Sequence, residues 1–248
     1  MDLVMNETIY TIPINEALDS DCDCPLCYLR GKLERDRVEY TLGASMMEPD
    51  SRAVTNSMGF CQPHFSMLLE QPNKLSFALV METHLADLRR RIDMCSSAVV
   101  LSEKKPRFGK SNTSGADLLA GTLTIALHSC AICSHIDKTM ERYIEVLFHM
   151  WSNDTAFRKR FDTVSHVCLP HYKLLAQGCA KHLKQAQANE FLQGLFTRQQ
   201  AYLAELQADI LHFTKKFDYR NADMPWGNAQ DAPKRAAAVL AGDGKNEK

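Results

Sequence analysis

Eight residues of this 248-residue chain are of the types, and at the spacings, that bind a soft metal ion. Cys24 and Cys27 form C-P-L-C, and Cys130 and Cys133 form C-A-I-C. Cys61 and His64 form C-Q-P-H, and Cys168 and His171 form C-L-P-H. Tetrahedral zinc takes thiolates and imidazole nitrogens, and its ligands come as close pairs because a knuckle or a helix start aims two side chains at one point. C-x-x-C supplies one such pair and C-x-P-H the other. Four closed ligands leave no position for a catalytic water, so a structural ion is expected. An iron–sulfur cluster more often takes four cysteines. C-P-L-C also matches a dithiol redox motif, without the βαβ context that such a motif has in thiol oxidoreductases.

The motifs occur twice in register. The offset between the C-x-x-C pairs is 106 residues and between the C-x-P-H pairs 107. Between Cys27 and Cys61 lie 33 residues, and between Cys133 and Cys168 lie 34. Lys32 maps to Lys138, Val38 to Ile144 and Glu39 to Glu145; later, Phe65 maps to Tyr172, Leu68 to Leu175, Leu85 to Leu192 and Leu88 to Leu195. This is an internal duplication. The simplest grouping places one site in each half: Cys24, Cys27, Cys61 and His64 in the first, Cys130, Cys133, Cys168 and His171 in the second, two zinc ions per chain. Each ion then pins the two ends of a helical hairpin.

The elements that must position these residues read as helices. Leu29, Leu33, Arg37 and Tyr40 fall at helical spacing, and Ile132, Ile136, Met140, Tyr143, Leu147 and Met150 make a cleaner stripe. Each stripe starts beside a C-x-x-C, so each motif opens a helix. Turn-like segments, 48–50 and 152–154, close these helices, each offering an aspartate as the cap of a short helix that follows. The proline of each C-x-P-H suits the first turn of another helix. Longer helices over 74–93 and 188–217 end each half. The expected fold is all-α, a helical bundle of two tandem similar repeats: residues 1–97 with a short extended N-terminal arm, a polar linker over 98–116, a second repeat over 117–220 and a tail over 221–248 with one short helix. Of the remaining cysteines, Cys22 reads as a spare thiol or an alternative ligand of the first site, and Cys95 and Cys179 as helix residues. His135 and His166 lie close to Cys133 and Cys168 and are rival ligand candidates, but read as bystanders.

Composition bounds the function. With 29 basic and 30 acidic residues the net charge is −1, which gives no electrostatic warrant for nucleic acid. The arginine runs at 89–91 and 158–160 read as solvated helix faces. The N-terminal stretch lacks the pattern of a secretory signal, no apolar run spans a bilayer, and nine cysteines at short regular spacings suit a reducing cytoplasm. No nucleophile–base, nucleotide-loop or HExxH motif is present, so the sequence does not indicate an enzyme.

The segments CPLC, GFCQPH, CAIC and HVCLPH, together with FDYRN…PWG near the end, resemble a family of uncharacterised bacterial proteins. These carry a domain of unknown function and often bear the label of an ABC-transporter substrate-binding protein. The resemblance covers most of the chain and implies an all-helical metal-binding protein without an established activity. The transporter label fits poorly, because an extracytoplasmic solute binder needs a signal peptide or lipid anchor and usually a two-lobed α/β fold. The expected role is a cytoplasmic zinc-stabilised interaction or regulatory module with a protein or peptide partner. A thiol-based zinc redox sensor and a solute-binding component are the alternatives.

Overall fold

A computed structural model describes residues 2–101, 114–221 and 223–242. Among these there are no strands, and the helices follow one another in two matching series. The first is α1 (Asp2–Asp19), α2 (Pro25–Leu42), α3 (Pro49–Met58), α4 (Gln62–Glu70) and α5 (Lys74–Leu101). The second is α6 (Gly115–His128), α7 (Ala131–Asn153), α8 (Thr155–Asp162), α9 (Leu169–His182) and α10 (Gln185–Lys215). A final helix, α11 (Ala232–Ala241), follows single 3-10 turns at 219–221 and 227–229.

Local chemistry sets the helix starts. Prolines stand in the first turns of α3, α4, α9 and α11, where a missing N–H costs nothing. The Asp154 carboxylate accepts from the backbone N–H groups of Ala156 and Phe157 (2.8 and 3.1 Å) and caps α8. At α3 the expected aspartate cap is not used. The cap position is Glu48, without a side-chain bond, and Asp50 lies in the first turn, where its charge suits the helix dipole. A capping box of Ser114 and Asp117 opens α6.

One expectation is corrected. The N-terminal arm is helical rather than extended: α1 runs to Asp19, and Ile14 and Ala17, three residues apart, are both buried. The partial alternation around residues 7–12 reflects apolar residues such as Ile9 and Ile12 that remain exposed, not the two faces of a strand. Of the linker expected over 98–116, residues 98–101 belong to α5 and 115–116 to α6, and most of the rest lies outside the described residues.

The chain forms two compact units, and these do not coincide with the repeats. One comprises residues 1–32 and 139–248, the other 33–138, so the divisions fall inside α2 and inside α7. The first unit has an aromatic core. Phe191 meets Phe148, Trp151 and Phe161 with ring centroids 4.9, 5.3 and 5.5 Å away. Gly178 of α9 lies against α7: a Cβ there would stand 2.5 Å from Ile144 Cγ2 and 2.8 Å from Phe148 Cε2. In the second unit α3 is tied to α5. Arg52 donates to Thr83 Oγ1 (2.6 Å), Thr83 to Asn56 Oδ1 (2.7 Å), and His84 Nδ1 to the Asn56 carbonyl (2.8 Å).

Phe148 is fully buried and cannot swing away, so Gly178→Val overpacks the α7–α9 crossing. We expect a loss of about 1–3 kcal/mol in stability, read as a lower urea midpoint at unchanged slope.

Candidate metal centres

The four motifs meet in two quartets, each inside one compact unit. Cys24, Cys27, Cys168 and His171 form the first, and Cys61, His64, Cys130 and Cys133 the second; within each, the ligand atoms all lie within 4.8 Å of one another. The grouping expected from the sequence is therefore corrected. Each C-x-x-C joins the C-x-P-H of the other repeat, not its own. Helix lengths are in keeping with this. The 18 residues of α2 span about 27 Å and the ten residues of α3 about 15 Å, so the two arms of the first repeat are unequal.

Each motif is placed by a helix start. Cys61 and Cys168 are the cap residues of α4 and α9, so His64 and His171 sit in the first turns that follow. Cys27 N–H donates to the Cys24 carbonyl (2.9 Å) as α2 begins, and Cys133 N–H points to Cys130 Sγ (3.5 Å). At the second quartet two backbone ties hold the motifs together: Ala131 N–H donates to the Gly59 carbonyl (2.9 Å) and Ser129 Oγ to the Met58 carbonyl (2.6 Å). Gly59 makes this approach possible. Its φ is +62°, and a Cβ would stand 2.6 Å from the His84 ring.

In the first quartet Cys168 Sγ lies 3.9 Å from Cys24 Sγ and 3.5 Å from Cys27 Sγ. His171 Nδ1 is 3.6, 3.4 and 3.1 Å from the sulfurs of Cys24, Cys27 and Cys168. In the second, the sulfurs of Cys61 and Cys133 are 3.7 Å apart, and His64 Nδ1 is 3.1, 3.2 and 3.4 Å from Cys61, Cys130 and Cys133. A tetrahedral ion at zinc's bond lengths sets sulfurs about 3.8 Å apart and sulfur and nitrogen about 3.6 Å apart. The quartets match the first distance and lie at or a few tenths of an ångström inside the second.

The electrostatics show what such crowding does. The hydrogen bond with Cys168, aided by Cys27, holds the Cys24 thiol far below the usual range, and the contact with Cys24 pushes Cys168 up. In the second quartet burial opposes ionisation of Cys130, but its hydrogen bond with His64 prevails and lowers it; burial and then the Cys130 charge drive Cys133 up. Burial disfavours a charged His64 ring, yet bonds with Cys130 and Glu34 raise it to about 10. Neighbouring thiols cannot all ionise alone. A divalent cation bound by the three sulfurs would allow it.

Glu34, which sequence spacing did not single out, accepts from His64 Nε2 at 3.0 Å. It thereby leaves Nδ1 facing the three sulfurs, the orientation an outer carboxylate gives a metal-binding histidine. Its counterpart 106 residues on is Met140, so the first quartet has no carboxylate at this register.

The other residues weighed in the sequence lie outside both quartets. His166 is buried and stacked on Tyr202 with centroids 3.4 Å apart. Cys22 is partly exposed, its Sγ 2.9 Å from Ser20 Oγ. Cys95 is buried beside Thr122 Oγ1 (3.3 Å), and Cys179 is buried with its thiol on the Ala176 carbonyl (3.3 Å). The arginine runs engage acids: Arg90 and Arg91 reach Asp87, Arg158 reaches Glu190, and Arg160 reaches Asp19.

Residues 5–247 match the model of DUF6062, a family of unknown function. The chain belongs to this family. No curated protein and no solved structure matches it. Among the described residues no single helix is long and apolar enough to cross a membrane.

The crossed pairing has a direct check. In a metal-loaded Cys61→Ser variant we expect Cys130 and Cys133 to become open to alkylation while Cys24 and Cys27 stay protected, mapped by mass spectrometry. Pairing within each repeat gives the opposite pattern. Separately, Glu34→Gln should weaken metal binding at the second quartet by about tenfold, measured by chelator competition, and leave the first unchanged.

Proposed function

We propose that this protein binds two zinc ions, one per quartet, that stabilise its fold, and acts in the cytoplasm as a zinc-stabilised interaction module. The observation that carries the reading is the convergence of three sulfurs and one imidazole nitrogen at tetrahedral spacing, twice. Soft thiolates with imidazole select zinc over hard cations, and a closed set of four suits a structural ion. All nine cysteines are free thiols, in keeping with a reducing compartment.

An interaction role draws support from α6. Between Asp117 and His128 this helix carries no charged residue, yet Leu118, Ile125 and Leu127 are 43%, 62% and 74% exposed. Exposed apolar side chains on one helix suit docking of a helical or peptide partner.

Structural zinc contributes on the order of 10–16 kcal/mol in small peptides, against roughly 5–15 kcal/mol for the net stability of a whole domain. Elemental mass spectrometry of protein purified under reducing conditions should find two zinc ions per chain. Stripping them with a strong chelator should abolish cooperative thermal unfolding followed by circular dichroism. Metal-free protein that still unfolds cooperatively at the same temperature would falsify the structural reading.

A further inference from the structure

The quartets share their chemistry but differ in cover. At the first, every ligand is buried, with Cys24, Cys27, Cys168 and His171 at 5%, 4%, 2% and 6% exposure. Helix α11 closes its outer side. Ala238 and Val239 line the same small space as Cys24, Cys27 and Cys168. Gly242, just past the end of α11, comes so near that an added Cβ would stand 3.7 Å from Cys168 Sγ and 3.9 Å from Cys27 Sγ. Those distances are ordinary contact, and it is the φ of +86° that calls for glycine. The helix is seated by a small apolar cluster of its own, Ala232 and Val239 with Leu206, and by the Arg235–Asp209 ion pair at 2.7 Å. This cluster is smaller than the aromatic core. At the second quartet, Cys130 and His64 are buried but Cys61 and Cys133 are partly exposed, and their sulfurs lie 3.7 Å apart.

We propose, building on the reading that each quartet holds a metal ion, that the second quartet is the exchangeable site and that α11 locks the first. At the second, an incoming thiol or chelator takes the position that Cys61 or Cys133 gives up, and the departing thiolate is protonated from water. At the first, no ligand can leave until α11 does. The protein then has one permanent ion and one open to exchange with thiol-rich acceptors, gated by its C-terminal helix.

The test uses full-length zinc-loaded protein and excess chromogenic chelator, with alkylation by iodoacetamide mapped in parallel. One equivalent should leave quickly and the second at least about tenfold more slowly. Cys61 and Cys133 should be alkylated with the fast phase, and Cys24, Cys27 and Cys168 with the slow one. Val239→Asp, which puts a charge under α11, should accelerate the slow phase about tenfold or more and leave the fast phase unchanged. Gly242→Val, acting at the sulfurs themselves, should do the same should the first variant fail to fold by circular dichroism. Release of both equivalents at one rate, or alkylation of Cys24 and Cys168 in the fast phase, overturns the proposal. So does a slow phase indifferent to both variants. Protein that never holds two equivalents defeats the underlying metal reading instead.

Discussion

Three thiols and an imidazole gathered within 4.8 Å of one another, the closest at 3.1 Å, are the tightest constraint in this chain, and it is met twice. Sulfur atoms at that range resist ionising together, as the opposed shifts of Cys24 and Cys168 show. A shared divalent cation would make such a cluster favourable. The helix starts at Cys61 and Cys168, the backbone ties at Gly59 and Met58, and the Glu34–His64 bond all place ligand atoms toward that end.

The constraint is satisfied across the duplication rather than within it. In the first quartet Cys24 and His171 are 147 positions apart, and in the second His64 and Cys130 are 66 apart. Chain entropy does little to oppose this. Closing a loop about four times longer costs roughly 1.2 kcal/mol more, two doublings at about 0.6 kcal/mol each, which is small against the binding of a structural ion. Helix geometry runs the same way. With α2 nearly twice as long as α3, the two arms between a C-x-x-C and the C-x-P-H of its own repeat are unequal. Neither repeat holds a complete quartet, and each compact unit takes one motif from each repeat.

Duplication also left room for the copies to diverge. Glu34 backs His64, whereas Met140 stands at the matching register of the second repeat. Gly59, with its left-handed backbone, precedes one C-x-P-H, and His166, stacked on Tyr202, precedes the other. Chain outside the repeats adds a further difference, because α11 covers the first quartet. Two sites with the same ligands thus differ in outer shell and in access, the two features that set how fast a bound ion exchanges.

Much of this was legible in the residues themselves. The paired motifs named eight atoms that come together, the 106- and 107-residue offsets exposed the duplication, and apolar spacing marked α2, α5, α7 and α10. Even the short final helix showed in its run of alanines. These are local signals: a period of 3.6 residues or a two-residue gap reports geometry over a turn or two. Which C-x-P-H meets which C-x-x-C is not local. Both repeats present like faces, and spacing within a repeat favours the wrong partner. The helical state of α1, Glu34 as the support of His64, and Gly242 against the sulfurs likewise depend on what packs beside them. The sequence determined which residues could ligate, because that is a property of side chain and turn. Only the tertiary structure decided how they pair, because that is set by the lengths and packing of whole helices.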